Sequence, residues 1–127
     1  VAAYARKVWG DVPLIVVVEP EFAPALIESV RAGKVVVTDG PVSDMGRLDC
    51  KEPSLIALSG LARDADLFVT ITEAQAAKAV AHLKSIGISS SPSGAAGVAA
   101  ALSGGAELGL GPESRVLAFV SEIGDDG

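Results

Sequence analysis

Apolar positions in this chain switch between two spacings. "VPLIVVVEP" (residues 12–20) is an unbroken β-branched run stopped by Pro20. Such runs are strands covered on both faces, as parallel sheets require. "KVVVT" (34–38), "DLFVTI" (66–71) and "RVLAFVSE" (115–122) repeat the pattern. Between them the spacing becomes helical. "VAAYARKVWGD" opens in helical phase and ends at Gly10–Asp11, and "EFAPALIESVRAG" is a short helix capped by Gly33. "DGPVSDMGRLDC" has no period and is a loop; "PSLIALSGLARDA" returns to helix with Pro53 in its first turn.

"TEAQAAKAVAHLKSIG" carries the clearest helix signal. Thr72 and Gln75 form a capping box, Gly87 ends the helix, and Ala76, Val80, Leu83 and Ile86 make its apolar stripe. "GAAGVAAALSGG" is a second helix, of small residues, and "GDDG" is a fraying tail. Alternating helices and buried strands predict an α/β domain over residues 1–127. Its sheet is mostly parallel with helices on both faces, a three-layer sandwich.

Composition narrows the partners. The chain has 127 residues, half of them apolar, and a formal charge of −6. That suits one globular domain. No basic cluster offers a footprint for nucleic acid or an anionic membrane, and no apolar run nears the roughly 20 residues of a span. Cys50 is the single cysteine, which rules out an internal disulfide and fits a reducing cytoplasm; a thiol without activating neighbours is inert. No metal site is expected. The chain starts without methionine inside a helical pattern, so we expect a piece of something longer.

"GISSSPSGAAGVAAALSGG" (87–105) raises the main functional question. A Gly/Ser linker would be polar and join two units, but here alanines follow at once and only 25 residues remain after Leu102. The stretch is therefore a turn feeding a helix. Ser93–Gly94 places a hydroxyl and free amides at that helix start, with small residues behind that let a flat ligand or another layer come close. Two roles stay open for Ser93: an ordinary N-cap, or a ligand contact.

Four segments in order, "LIVVVEPE", "DMGRLDCKEPSLIALSGL", "LFVTITEAQAAKAV" and "SPSGAAGVAAAL", resemble the fold-type II pyridoxal-phosphate enzymes. These are the tryptophan synthase β-like dehydratases, ammonia-lyases and synthases. The "LDCKEPS" loop resembles diaminopropionate ammonia-lyase more than the threonine and serine dehydratases. The likeness covers nearly all of this chain but only a C-terminal portion of such an enzyme. It implies pyridoxal 5′-phosphate as cofactor, with Ser93 bonding its ring nitrogen and Gly94 beside it. A neutral hydroxyl leaves that nitrogen largely unprotonated and the ring a weaker electron sink, which suits β-elimination. Glu73 is a second implied cofactor contact; its plainer role is an acid complementing the helix dipole. Asp44, Met45 and Gly46 fall where the family's loop passes the cofactor.

Other residues read as structural. Glu19–Pro20 shapes a turn, His82 is a surface residue and Trp9 packs at a helix end. Lys7, Lys34, Lys51, Lys78 and Lys84 match no Schiff-base motif, and the glycine loop that would hold the phosphate has no match either. The expectation is therefore a part of a cytoplasmic pyridoxal-phosphate lyase that eliminates from diaminopropionate, serine or threonine. Without its N-terminal part it is inactive and holds no catalytic residue of its own. Relatives are often dimers, so a homodimer is the candidate assembly. The alternatives are part of a threonine or cysteine synthase, or a non-catalytic α/β binding module.

Overall fold

A computed structural model describes residues 1–124; residues 125–127 of the "GDDG" tail lie outside the described residues. The elements run α1 (Ala2–Trp9), β1 (Val16–Pro20), α2 (Ala25–Ala32), α3 (Leu55–Asp64), β2 (Leu67–Ile71), α4 (Glu73–Ser85) and α5 (Ala96–Ser103). β1 and β2 pair in parallel, from Val16 opposite Leu67 to Pro20 opposite Ile71. Facing residues of paired strands share a side of the sheet. Val18, Val69 and Ile71 thus project together, and they meet Ala76, Ala79 and Leu83 of α4 and Ala96, Ala99 and Ala100 of α5. Alanines on both helices let them lie close to each other and to the sheet.

The opposite side carries Glu19, which reaches α2. Its carboxylate accepts the Leu26 and Ile27 amides at 3.0 and 2.8 Å, filling two donors that the start of α2 leaves without partners. Burial pushes the Glu19 carboxyl above its ordinary range, and those amides pull it partly back. Glu19 thus holds the start of α2, where the sequence suggested a turn-shaping role for Glu19–Pro20. Helices stand on both sides of a parallel sheet.

Caps set the ends. Gly33 closes α2 with φ 70°, its amide donating to Ser29 and Val30 carbonyls. Both capping-box bonds of α4 are present, Gln75 N to Thr72 Oγ1 at 3.1 Å and Thr72 N to Gln75 Oε1 at 2.9 Å. At α3 the cap is Ser54, which accepts from Ala57 N, so Pro53 precedes the helix instead of starting it. Arg6 ties α1 to the body: its guanidinium donates to the carbonyls of Asp64, Gly10 and Pro13 and pairs with Asp66 at 2.5 Å.

Two expected strands do not form. Residues 34–38 and 115–122 have no strand partner among the described residues. Val36 N donates instead to Ser29 Oγ, Thr38 N to the Lys51 carbonyl and Ser121 N to the Gly94 carbonyl. A β-branched run favours extended backbone, but a strand exists only where another strand offers its edge. With two strands paired, Val16, Val17 and Val18 are half-buried instead of enclosed. Ile86 and Trp9 are likewise exposed; Ile86 is the C-cap of α4, whose buried residues are Ala76, Ala79 and Leu83.

Candidate functional site

Both strands of a parallel pair end on one edge, and ligands of α/β sheets bind beyond that edge. Here Glu73 begins α4 two residues after β2 ends, so the capping box delivers its carboxylate to that edge. The loop at 43–48 lies against it. Ser43 Oγ donates to Glu73 Oε1 at 2.5 Å and Asp44 N to Oε2 at 2.8 Å. Ser43 Oγ also accepts the Met45 amide at 3.0 Å. Glu73 thus engages the loop with both oxygens.

Met45 follows this clamp into the core, where it is 0% exposed between the loop and the α4–α5 alanines. It is a plug, while its neighbours Asp44 and Gly46 are exposed. At its far end the loop meets the serine turn: Arg47 N donates to Ser93 Oγ at 3.1 Å. Glu73, Ser93 and the expected loop therefore do come together, joined through loop backbone.

Ser93 is not the cap of α5. That helix has Ala95 at its N-cap with no side-chain bond, and the turn before it is closed by Ser91, whose Oγ accepts Gly94 N at 3.0 Å. The half-buried Ser93 hydroxyl accepts from Arg47, and among the described residues its own proton is given to no acceptor. A hydroxyl placed this way can donate to an unprotonated ring nitrogen, so the donor chemistry fits the implied cofactor. Gly94 beside Ser93 leaves no room for a side chain. A Cβ there would lie 1.6 Å from the Ser121 carbonyl oxygen, and Gly94 O accepts from Ser121 N at 3.3 Å. The glycine admits the 121 backbone.

Lys51 frames the loop from outside. Its ammonium donates to Phe22 O at 2.7 Å, Pro41 O at 2.9 Å and Asp49 Oδ1 at 2.6 Å, using all three protons. That hydrogen bond holds the Asp49 carboxyl below its ordinary value. Cys50 beside it is exposed and unpaired. Ser43, Arg47, Ser91 and Glu122 were not marked by sequence reasoning. Only Ser91 carried a signal, a hydroxyl three residues before Gly94, and three adjacent serines hid which one was in phase. Two hollows, of about 120 and 480 Å³, are lined by no residue of this loop–turn site.

The family model for pyridoxal-phosphate dependent enzymes matches residues 1–122. The chain belongs to that family. Threonine deaminase from T.th. is 25% identical with a TM-score of 0.75, over 82% of this chain and 39% of that one. A fungal L-serine ammonia-lyase from Rhizomucor miehei is 24% identical with a TM-score of 0.80, over 95% and 40%. Diaminopropionate ammonia lyase from Escherichia coli is 24% identical with a TM-score of 0.77, over 95% and 34%. The last two likenesses are of fold. No curated protein matches the chain. All three solved structures are fold-type II pyridoxal-phosphate enzymes, and the chain spans two fifths or less of their length. Pyridoxal 5′-phosphate is thus the cofactor that the family implies here.

Proposed function

We propose that this chain is the portion downstream of the phosphate loop in a pyridoxal-phosphate lyase, one that eliminates ammonia or water from a small amino acid. The observation carrying the proposal is the Ser93 hydroxyl, oriented by the Arg47 amide and, among the described residues, left with a proton to donate. Bound pyridoxal phosphate supplies the electron sink for bond breaking at the substrate α-carbon. Ser93 would hold the ring nitrogen with a neutral hydrogen bond. Glu73 would set the loop that carries Arg47, and Gly94 would let the 121 backbone close behind the turn. The Schiff-base lysine and the phosphate loop belong to the upstream part in this proposal, so the chain by itself is inert.

A deaminase and two ammonia-lyases among the related folds favour elimination over replacement. Serine racemase from maize, 22% identical with a TM-score of 0.74, keeps proton transfer without elimination as the second reading. The test is Ser93→Ala in the full-length enzyme, followed by cofactor absorbance and by product release from diaminopropionate, serine, threonine and O-acetylserine. Weaker cofactor binding, a shifted cofactor absorbance and a slower elimination are expected. If band and rate both survive the substitution, Ser93 is not the ring-nitrogen partner. Inverted serine without keto acid would point to the racemase instead.

A further inference from the structure

We propose that Arg47 and Glu122 are positioning residues that latch the loop onto the serine turn and so orient the Ser93 hydroxyl; the inference rests on the role of Ser93 proposed above. Arg47 is fastened twice. Its amide donates to Ser93 Oγ at 3.1 Å, and its Nε donates to Glu122 Oε1 at 3.0 Å. The other Glu122 oxygen accepts the Ser91 hydroxyl, and Ser91 in turn accepts the Gly94 amide. One carboxylate therefore bridges the loop and the turn on either side of Ser93.

The backbone is bent to bring that carboxylate in. Glu122 has φ 61°, the only positive φ outside glycine among the described residues. Side-chain-bearing residues keep such a conformation only where their surroundings impose it, and strain of this kind gathers at working sites. The imposing contacts are present: Ser90 Oγ donates to Ser121 O at 2.9 Å, and Ser121 N to Gly94 O at 3.3 Å. Glycine at position 94 is the condition for both, since a Cβ would collide with Ser121 O.

The latch works through geometry at Ser93. A hydroxyl that accepts from a fixed amide has one lone pair occupied, so its proton turns away from that amide. Release of the Arg47 side chain frees the amide to drift and the hydroxyl to rotate. Arg47 is 83% exposed, so the ion pair alone contributes little, and the effect should be several-fold.

A double-mutant cycle in the full-length enzyme tests this, reading the pyridoxal phosphate dissociation constant and the cofactor absorbance maximum. Arg47→Ala should weaken cofactor binding about three- to tenfold in the native background and leave affinity unchanged beside Ser93→Ala. Glu122→Gln, which keeps Arg47, should show the same dependence on Ser93 with a smaller loss. Without cofactor, Glu122→Gln should also speed hydrogen exchange at the Arg47 amide. If either substitution weakens binding equally with and without Ser93, or exchange is unchanged, the latch is wrong while the role of Ser93 stands. If Ser93→Ala alone leaves affinity unaltered, the ring-nitrogen reading falls and takes the latch with it.

Discussion

The loop–turn site and the segments at 34–38 and 115–120 make opposite use of their residues. In the first, polar side chains meet backbone amides or each other across 29, 46 and 75 positions of chain. In the second, Val35, Val37, Val116, Leu117, Phe119 and Val120 are all exposed despite a β-branched and aromatic pattern that favours strand. Local pattern therefore states what a segment wants to bury, and the partner decides whether it does. The polar contacts close because both partners of each lie among these residues, whereas the apolar runs find no strand partner among the described residues.

If that contrast is sound, substitutions should hurt the loop–turn site and spare the apolar runs. Gly94→Ala should act most strongly, because its Cβ would collide with the Ser121 backbone, which cannot yield as a side chain does. A loss of about 3 kcal/mol or more is expected from the urea midpoint. Glu73→Ala should follow at about 2 kcal/mol, since two hydrogen bonds to one carboxylate disappear and Ser43 is left buried. At the other end, Phe119→Ser should move stability by no more than about 0.5 kcal/mol, because the ring is 62% exposed. A large loss there would mean that the 115–120 segment is packed in solution, and the contrast would break.

Acidity probes the same contrast through charge. Lys51, Arg63 and the Ile15 amide, respectively, hold the carboxyls of Asp49, Asp64 and Asp66 below their ordinary value of 3.8. Stability from a depressed carboxyl is fully present above the ordinary value and lost as pH falls through the folded one. Unfolding should therefore become easier below about pH 3.8, and Lys51→Met should blunt the part that belongs to Asp49. Glu19 has the opposite sign. Its raised carboxyl disfavours the fold while ionised, so stability should rise slightly as pH falls toward its ordinary 4.5. Denaturation midpoints of the native protein and Glu19→Gln across pH 3–7 separate the two, and the rise should be absent from the variant.

Much of this was legible in the sequence where the physics is local. The capping box at Thr72 and Gln75, the Gly33 cap and the β1 and β2 runs all follow from residues within a few positions of each other. Glu73, Ser93 and the 43–48 loop were marked through resemblance, and their meeting is a tertiary fact that no spacing contains. Ser93 stood as a cap candidate where Ser91 closes the turn, because serines two positions apart offer the same hydroxyl to the same helix start. Glu122 was invisible for a different reason: a positive φ at a non-glycine residue is imposed by its surroundings and leaves no trace in composition.

The pairing of β1 with β2 also sets an order of events in time. Residues 16–20 find their strand only when residues 67–71 exist, and Arg6 finds its acceptor at Asp64, 58 positions later. Closing loops of that size is slow beside helix formation. During synthesis the β1–β2 pair must therefore wait while some fifty further residues leave the ribosome. Until that pair closes, its strand edges are of the kind that promotes aggregation.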